Sequence, residues 1–284
     1  MLRSVGFPWA TRQAVRLRVL GLLVTLALLS VSLGAGAQPA RTIRIGWLSP
    51  GSTATHGPFF DAFRQSLQEL GYVGGANLAI ESRWAEGKLD RLPSLAAELA
   101  GLRVDVIVAA GGPAIRASKQ ATTAIPIVMA IGADPVATGL VTPEGNVTGL
   151  SYMPGELAVR QLGILKEVVP KISRVALLWS PANPVNVREV EDAARALGMR
   201  LQPLEARDPN EIDSAFTAMS KEQADAVIVS AATTFFIHRT RIADLAAQRQ
   251  LPSVYPARGH AEAGGLVSYG LILPDLYRRA WTRF

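Results

Sequence analysis

The feature that most constrains this chain is a set of strand-and-helix segments that occurs twice in the same order. Ile45-Gly46-Trp47-Leu48-Ser49-Pro50 is echoed by Ala176-Leu177-Leu178-Trp179-Ser180-Pro181, each an apolar run entering Ser-Pro. Val104-Asp105-Val106-Ile107-Val108 is echoed by Ala224-Asp225-Ala226-Val227-Ile228-Val229. Ala124-Ile125-Pro126-Ile127-Val128 is echoed by Gln250-Leu251-Pro252-Ser253-Val254. The offsets are 131, 120 and 126 residues, so the order survives small insertions and deletions. Ordered matches of this kind point to two copies of one supersecondary unit.

The unit itself is a βα repeat. Short apolar runs such as 43–48, 104–109 and 127–131 alternate with amphipathic stretches such as 58–70, 92–102 and 113–120. That alternation predicts parallel sheets with helices on both faces. After a helix over 155–168 the pattern restarts, with strands at 174–179, 200–205, 226–230, 253–255 and 265–269 and helices at 184–197, 209–220 and 236–248. The expected fold is α/β, with two doubly wound, Rossmann-like lobes joined by a hinge. The expected division is a first lobe of residues 41–150 plus 271–284 and a second of 151–270.

Composition narrows the partners. The net charge is +6, but four of the 29 basic residues (Arg3, Arg12, Arg16 and Arg18) lie in the first 37, which contain no acid. The rest carries 25 basic and 23 acidic residues, too balanced to be a footprint for nucleic acid. Those 37 residues read as a signal peptide: a basic start, an apolar run from Val19 to Leu33, and Ala35-Gly36-Ala37 as a cleavage site. The run is shorter than the roughly 20 residues that span a bilayer. The expected destination is the periplasm. There is no cysteine, and His56, His238 and His260 stand at no metal-ligand spacing, so no metal is expected. No P-loop, G-x-G-x-x-G or G-x-S-x-G is present, so neither a cofactor nor catalysis is expected.

In open α/β sheets, ligands sit beyond the carboxyl ends of the strands, against helix N-termini. The residues there are Ser49, Gly111, Gly112, Asp134, Asn183, Thr233, Tyr255 and Tyr269, expected to bind a small polar organic solute. Each also has a plainer reading. Ser49 and Asn183 suit helix caps, Gly111-Gly112 a tight turn, and Asp134-Pro135 a turn. Phe59, Phe60, Phe235 and Phe236 are expected to pack helices, and His56 to sit in a solvated loop.

Several segments carry a family likeness. They include Gly57-Pro58-Phe59, Trp84-Ala85-Glu86-Gly87, Val108-Ala109-Ala110-Gly111-Gly112-Pro113, Gly145-Asn146-Val147-Thr148-Gly149, Glu262-Ala263-Gly264-Gly265-Leu266 and Ser268-Tyr269-Gly270. Over about Arg41 to Arg279 the chain resembles the bacterial ABC-transporter substrate-binding family that includes tryptophan- and tyrosine-binding importer proteins. The resemblance implies a type I periplasmic binding fold and a monomer without enzymatic activity. It implies a solute, an amino acid or related carboxylate, clamped between lobes and handed to an inner-membrane ABC permease. Carried over position by position, it places Ser49, Gly112, Asp134, Asn183, Tyr255 and Tyr269 in the pocket. Two departures stand out: Ala232-Thr233 replace the family's usual Asp-Pro, and the chain ends at Phe284 where members continue, so a shortened C-terminus is expected. The alternatives are a secreted sensor module for a membrane receptor, or a secreted α/β enzyme using His56 or Asp134.

Overall fold

Parallel pairing of buried, β-branched runs generates both sheets. The computed structural model describes residues 42–134, 138–142 and 145–281; the leader read at 1–37 lies outside them. The first half runs β1 (Ile43–Ser49), α1 (Thr53–Glu69), β2 (Leu78–Trp84), α2 (Leu92–Gly101), β3 (Val106–Ala110), α3 (Gly112–Ala121), β4 (Ile127–Ala133) and β5 (Val147–Tyr152). The second runs α4 (Pro154–Val168), β6 (Arg174–Trp179), α5 (Val187–Ala196), β7 (Arg200–Glu205), α6 (Pro209–Lys221) and β8 (Ala226–Val229). It continues with α7 (Thr233–Ile237), α8 (Arg239–Gln248), β9 (Ser253–Ala257), α9 (Arg258–Glu262), β10 (Val267–Leu271) and α10 (Leu273–Arg279).

The two sheets repeat one topology. Their strand orders are β2-β1-β3-β4-β5 and, read from the matching edge, β7-β6-β8-β9-β10, with every pair parallel. This is the α/β doubly wound arrangement expected from the alternation of apolar runs. Side chains of the central strands serve two cores. Val106, Val108 and Ala110 enter one face of the first sheet, while Ile107 and Ala109 enter the other. In the second sheet Val227 and Val229 oppose Ala226 and Ile228 in the same way. A strand buried on both faces needs a continuous apolar run, which explains why the periodicity of two is lost there.

The duplication extends to the polar staples. Asp105 Oδ2 accepts from the Arg44 N–H at 2.8 Å, and Asp225 Oδ2 accepts from the Arg174 N–H at 2.8 Å. Each aspartate thus ties the base of one central strand to its neighbour. Asp225 also accepts from the Ser173 N–H and hydroxyl, and these bonds hold its carboxyl below the usual range. Two residues before each aspartate the chain turns left-handed, at Arg103 (φ 51°) and Gln223 (φ 54°). In both places that residue closes the preceding helix, a position where glycine avoids the Cβ penalty.

Local starts and stops differ from the expected ones where capping overrides simpler signals. Helix α1 begins at Thr53, five residues before Pro58, because Ser52 and Thr55 form a reciprocal capping box there. The expected helix over 236–248 is two helices, α7 and α8, meeting at His238, and α7 starts three residues early. The helix expected from Pro184 starts at Val187, where Asn186 accepts from the Glu189 N–H.

After β10 the chain returns to the first sheet. Tyr277 and Ala280 of the last turns are buried with Trp47 and Phe63, and the Tyr277 ring stacks on Phe59 at 5.0 Å and 3°. Trp47 gathers Phe60, Phe63, Trp84 and Tyr277 within 5.0–6.3 Å of its own ring. Pairs of this kind add about 0.5–1.5 kcal/mol each beyond simple burial.

Gln223→Gly should raise stability by about 1 kcal/mol, the cost of a side chain in the left-handed region. Asp225→Ala should lower it by about 1–3 kcal/mol, through lost hydrogen bonds to the strand base. Thermal denaturation followed by circular dichroism checks both signs.

Candidate functional site

The carboxyl ends of the two sheets face a shared cavity of about 70 Å³. The first half contributes His56 and Phe59 from α1, Ala110 and Gly111 from the β3–α3 turn, Ile131 from β4 and Tyr152 from β5. The second contributes Ala231, Ala232, Thr233 and Phe236 around the start of α7, and Pro256, Ala257 and His260 around the start of α9. Leu271, Leu273 and Tyr277 complete the wall where the chain passes from β10 into α10.

Close backbone approach makes this seam. Gly111 has φ +88°, and a Cβ placed on it would lie 2.9 Å from Thr233 Oγ1. A Cβ on Gly112 would lie 3.0 Å from Asn183 Nδ2 and 3.2 Å from the Ala182 carbonyl. The Arg116 guanidinium of α3 donates to that same carbonyl at 2.9 Å, and the Tyr152 hydroxyl donates to the Ala231 carbonyl at 2.5 Å. These bonds join residues that follow strands of opposite sheets. Glycine is required here both for the positive φ and for the clearance.

Aromatic rings line the interior. Phe59 and Phe236, one from each half, lie with centroids 5.5 Å apart. His56 meets both rings edge-on at 5.6 Å, and His260 meets Phe236 edge-on at 5.5 Å. Burial drives both imidazoles down to about 4, and the nearby Arg239 guanidinium pushes in the same direction. Both are therefore neutral at physiological pH. His260 Nδ1 lies 3.2 Å from the Ala257 carbonyl, which can only accept, so Nδ1 carries the proton and Nε2 the lone pair. Burial also raises the phenols of Tyr152 and Tyr277 well above the usual range.

Backbone donors complete the lining. The caps of α3, α7 and α9 are Gly111, Ala232 and Ala257, none of which offers a capping hydrogen bond from its side chain. All three line the cavity. Orphan N–H groups in the first turn of α3 are therefore free of side-chain competitors.

The residues singled out in the sequence fall into three groups. Gly111 and Thr233 line the cavity, and Gly112 and Asn183 stand directly behind them, with Asn183 Oδ1 accepting from the Thr233 N–H at 3.3 Å. Tyr255 is wholly buried in the core of the second sheet, its ring stacked on His260 at 5.3 Å. Ser49 is fully buried at the end of β1, Asp134 follows β4 with its carbonyl held by Thr138, and Tyr269 is on β10 at 39% exposure; none lines the cavity.

Sequence reasoning missed the aromatic walls. His56 is not a solvated loop residue: it is on the second turn of α1, buried to 5% exposure, because the capping box extends the helix around it. Phe59 and Phe236 do pack helices, and their edges also bound the cavity. The available signal was position, since each lies within about ten residues of a strand end.

Comparison with known proteins comes to the same architecture. The family described as ABC transporter substrate binding protein matches residues 57–276. A tyrosine-binding protein of Clostridioides difficile is 24% identical over 217 residues, 74% of this chain and 62% of that relative, so the chain spans less than two thirds of its length. An ABC domain from Streptococcus pneumonia in complex with L-Trp has a TM-score of 0.78 at 24% identity, covering 85% of this chain and 83% of that one. The ligand-free, open structure of a substrate binding protein with adhesive properties from Clostridium difficile gives 0.59 at 23%, covering 84% and 82%. The fold is thus that of type I periplasmic binding proteins.

The two buried histidines carry a pH signature. A histidine whose folded value is depressed stabilises fully above its unfolded value of about 6.5 and loses that contribution as pH falls toward 4. Each should lose about 3 kcal/mol across that window. Chemical denaturation at pH 7 and pH 4.5 checks this; equal stabilities at the two pH values would contradict the buried, neutral assignment.

Proposed function

Since this chain belongs to the ABC transporter substrate binding protein family, we propose that it captures a small solute between its two sheets and delivers it to an inner-membrane ABC permease. The observation that carries this reading is the shared cavity: both halves contribute walls, and neither half alone encloses it. A family of solute-binding proteins works by capture and release, and no catalytic step is invoked.

We assign the lobes as residues 41–150 with 271–284, and 151–270. The chain crosses between them at the ends of β5 and β10, which hold Tyr152 and Leu271. Two crossings of this kind suit a hinge, in which closing the lobes buries the solute and opening releases it. The similarity of the chain to an L-Trp complex, higher than to an open ligand-free relative of nearly equal identity, supports a closed arrangement in this structure. The protein acts as a monomer in the periplasm, exported by the segment 1–37.

The pocket set proposed from sequence divides by role in this reading. Gly111, Gly112, Thr233 and Asn183 form the seam, Tyr255 backs His260, and Ser49, Asp134 and Tyr269 frame the strand ends. The solute is an aromatic amino acid or a related carboxylate, by analogy with the tyrosine-binding and L-Trp-bound relatives. Uncapped N–H groups at α3 suit an acceptor oxygen of the solute, and the Phe59–Phe236 pair suits its ring.

Gly112→Val should prevent closure, because its side chain meets Asn183 and the Ala182 carbonyl. Titration calorimetry against a panel of amino acids and small aromatic acids should show affinity falling at least about tenfold, or about 1.4 kcal/mol. Small-angle scattering of the variant should show no compaction on adding ligand. A native protein that binds nothing in the panel would contradict the proposal.

A further inference from the structure

We infer that the solute is an aromatic monocarboxylate without an α-ammonium group, held with its ring against the edges of Phe59 and Phe236 and its carboxylate toward Arg239. This rests on the solute-binding reading above and narrows the ligand class within it.

The cavity is built for a ring and against a cation. Among the described residues that line it there is no Asp or Glu, and Ala232 stands at the mouth of α7 with only a methyl group to offer. One neutral acceptor does not offset a buried ammonium, which would need a counter-charge or several acceptors, since a buried cation is costly unless paired. Four carbonyls of the wall are already engaged. The Ala231 carbonyl accepts from Tyr152, that of Ala257 from His260, and those of Gly111 and Ala232 from the N–H groups of Ile115 and Phe236. Asp134, the carboxylate expected at the cleft, does not line the cavity.

The charge that is present is positive. Phe59, Phe236, Ala257, Leu271 and Leu273 also line an outer cleft of about 650 Å³, which contains Arg239, Arg258 and Glu262. Arg258 and Glu262 pair with each other at 2.8 Å. Arg239 instead lies flat over the Phe236 ring, its carbon 4.7 Å from the centroid, and donates to the Phe236 carbonyl at 3.0 Å. Its charge, which helps to keep His56 and His260 neutral, repels an ammonium and attracts a carboxylate at the same place.

The inner end asks for a donor. His260 Nε2 carries a lone pair, is buried without a hydrogen-bond partner among the described residues, and belongs to a ring that lines the cavity. A buried acceptor of this kind favours a ligand that brings a hydroxyl or N–H. A hydroxylated aromatic acid satisfies both ends, with its carboxylate outward and its hydroxyl inward.

Three probes separate the possibilities: 3-(4-hydroxyphenyl)propionate, L-tyrosine and 3-phenylpropionate. The first two share a carbon skeleton and differ by the α-ammonium; the first and third differ by the hydroxyl. Calorimetry on the purified protein should give the hydroxy acid at least about tenfold tighter affinity than L-tyrosine, and several-fold tighter than 3-phenylpropionate. In Arg239→Gln, whose side chain is half-buried at the cleft, the acids should lose at least about tenfold in affinity while the melting temperature stays within a few degrees. L-tyrosine binding as tightly as the hydroxy acid, or more tightly, overturns this inference and leaves the solute-binding reading standing. Failure of both acids to bind, or unchanged acid affinity in Arg239→Gln, also overturns it. Only a blank result across the broader panel reaches the solute-binding reading itself.

Discussion

The molecule depends on one close approach: two glycines at the start of α3 meet Thr233 and Asn183 from the other half. A Cβ at Gly111 or Gly112 would press on Thr233, Asn183 and the Ala182 carbonyl, so the two sheets approach this closely at their carboxyl ends only with glycine at both positions or with the seam displaced. The consequences spread outward from there. The uncapped N-terminus of α3 comes to face the other half, Tyr152 reaches the Ala231 carbonyl, and Arg116 reaches that of Ala182. Phe59 and Phe236, fixed on separate helices, become neighbours only because this seam is narrow. The enclosure between the sheets is therefore a property of backbone clearance, and the side chains around it refine its chemistry.

That chemistry follows from dehydration. Rings and methyl groups form most of the wall, so charged groups within it are disfavoured and both histidines stay neutral. Tyr255, buried behind the second sheet, serves the site indirectly by stacking on His260 and setting the plane of its ring. Charge is kept to the outer cleft, where Arg239 rests on the back of Phe236. The result is a gradient from an apolar interior to a mouth that holds the Arg239 guanidinium.

Much of this architecture is legible in the sequence, because strand runs and duplicated motifs are local. Val104–Val108 and its partner at 224–229 identified the central strands, and Asp105 and Asp225 turned out to share one structural task at their bases. The seam was legible in part, through Gly111-Gly112 following a strand. What stayed hidden depended on geometry between segments distant in the chain. Phe59 and Phe236 are 177 residues apart and each reads as an ordinary core position on its own helix. His56 was obscured by a capping box that extends α1 beyond the proline taken as its start. Tyr255 and Tyr269 carry the right chemistry for a pocket, but strand alternation and edge position direct them elsewhere.

A type I fold with a cavity lined from both sheets, in a family of solute-binding proteins, makes capture by closure the central claim. The most direct measurement is a crystal structure of the protein with its solute bound. The account predicts ligand density in the cavity against Phe59 and Phe236, in contact with the Gly111 and Thr233 ends of the seam. Density for a solute bound on either half alone, with the cavity between the sheets unchanged, would contradict it.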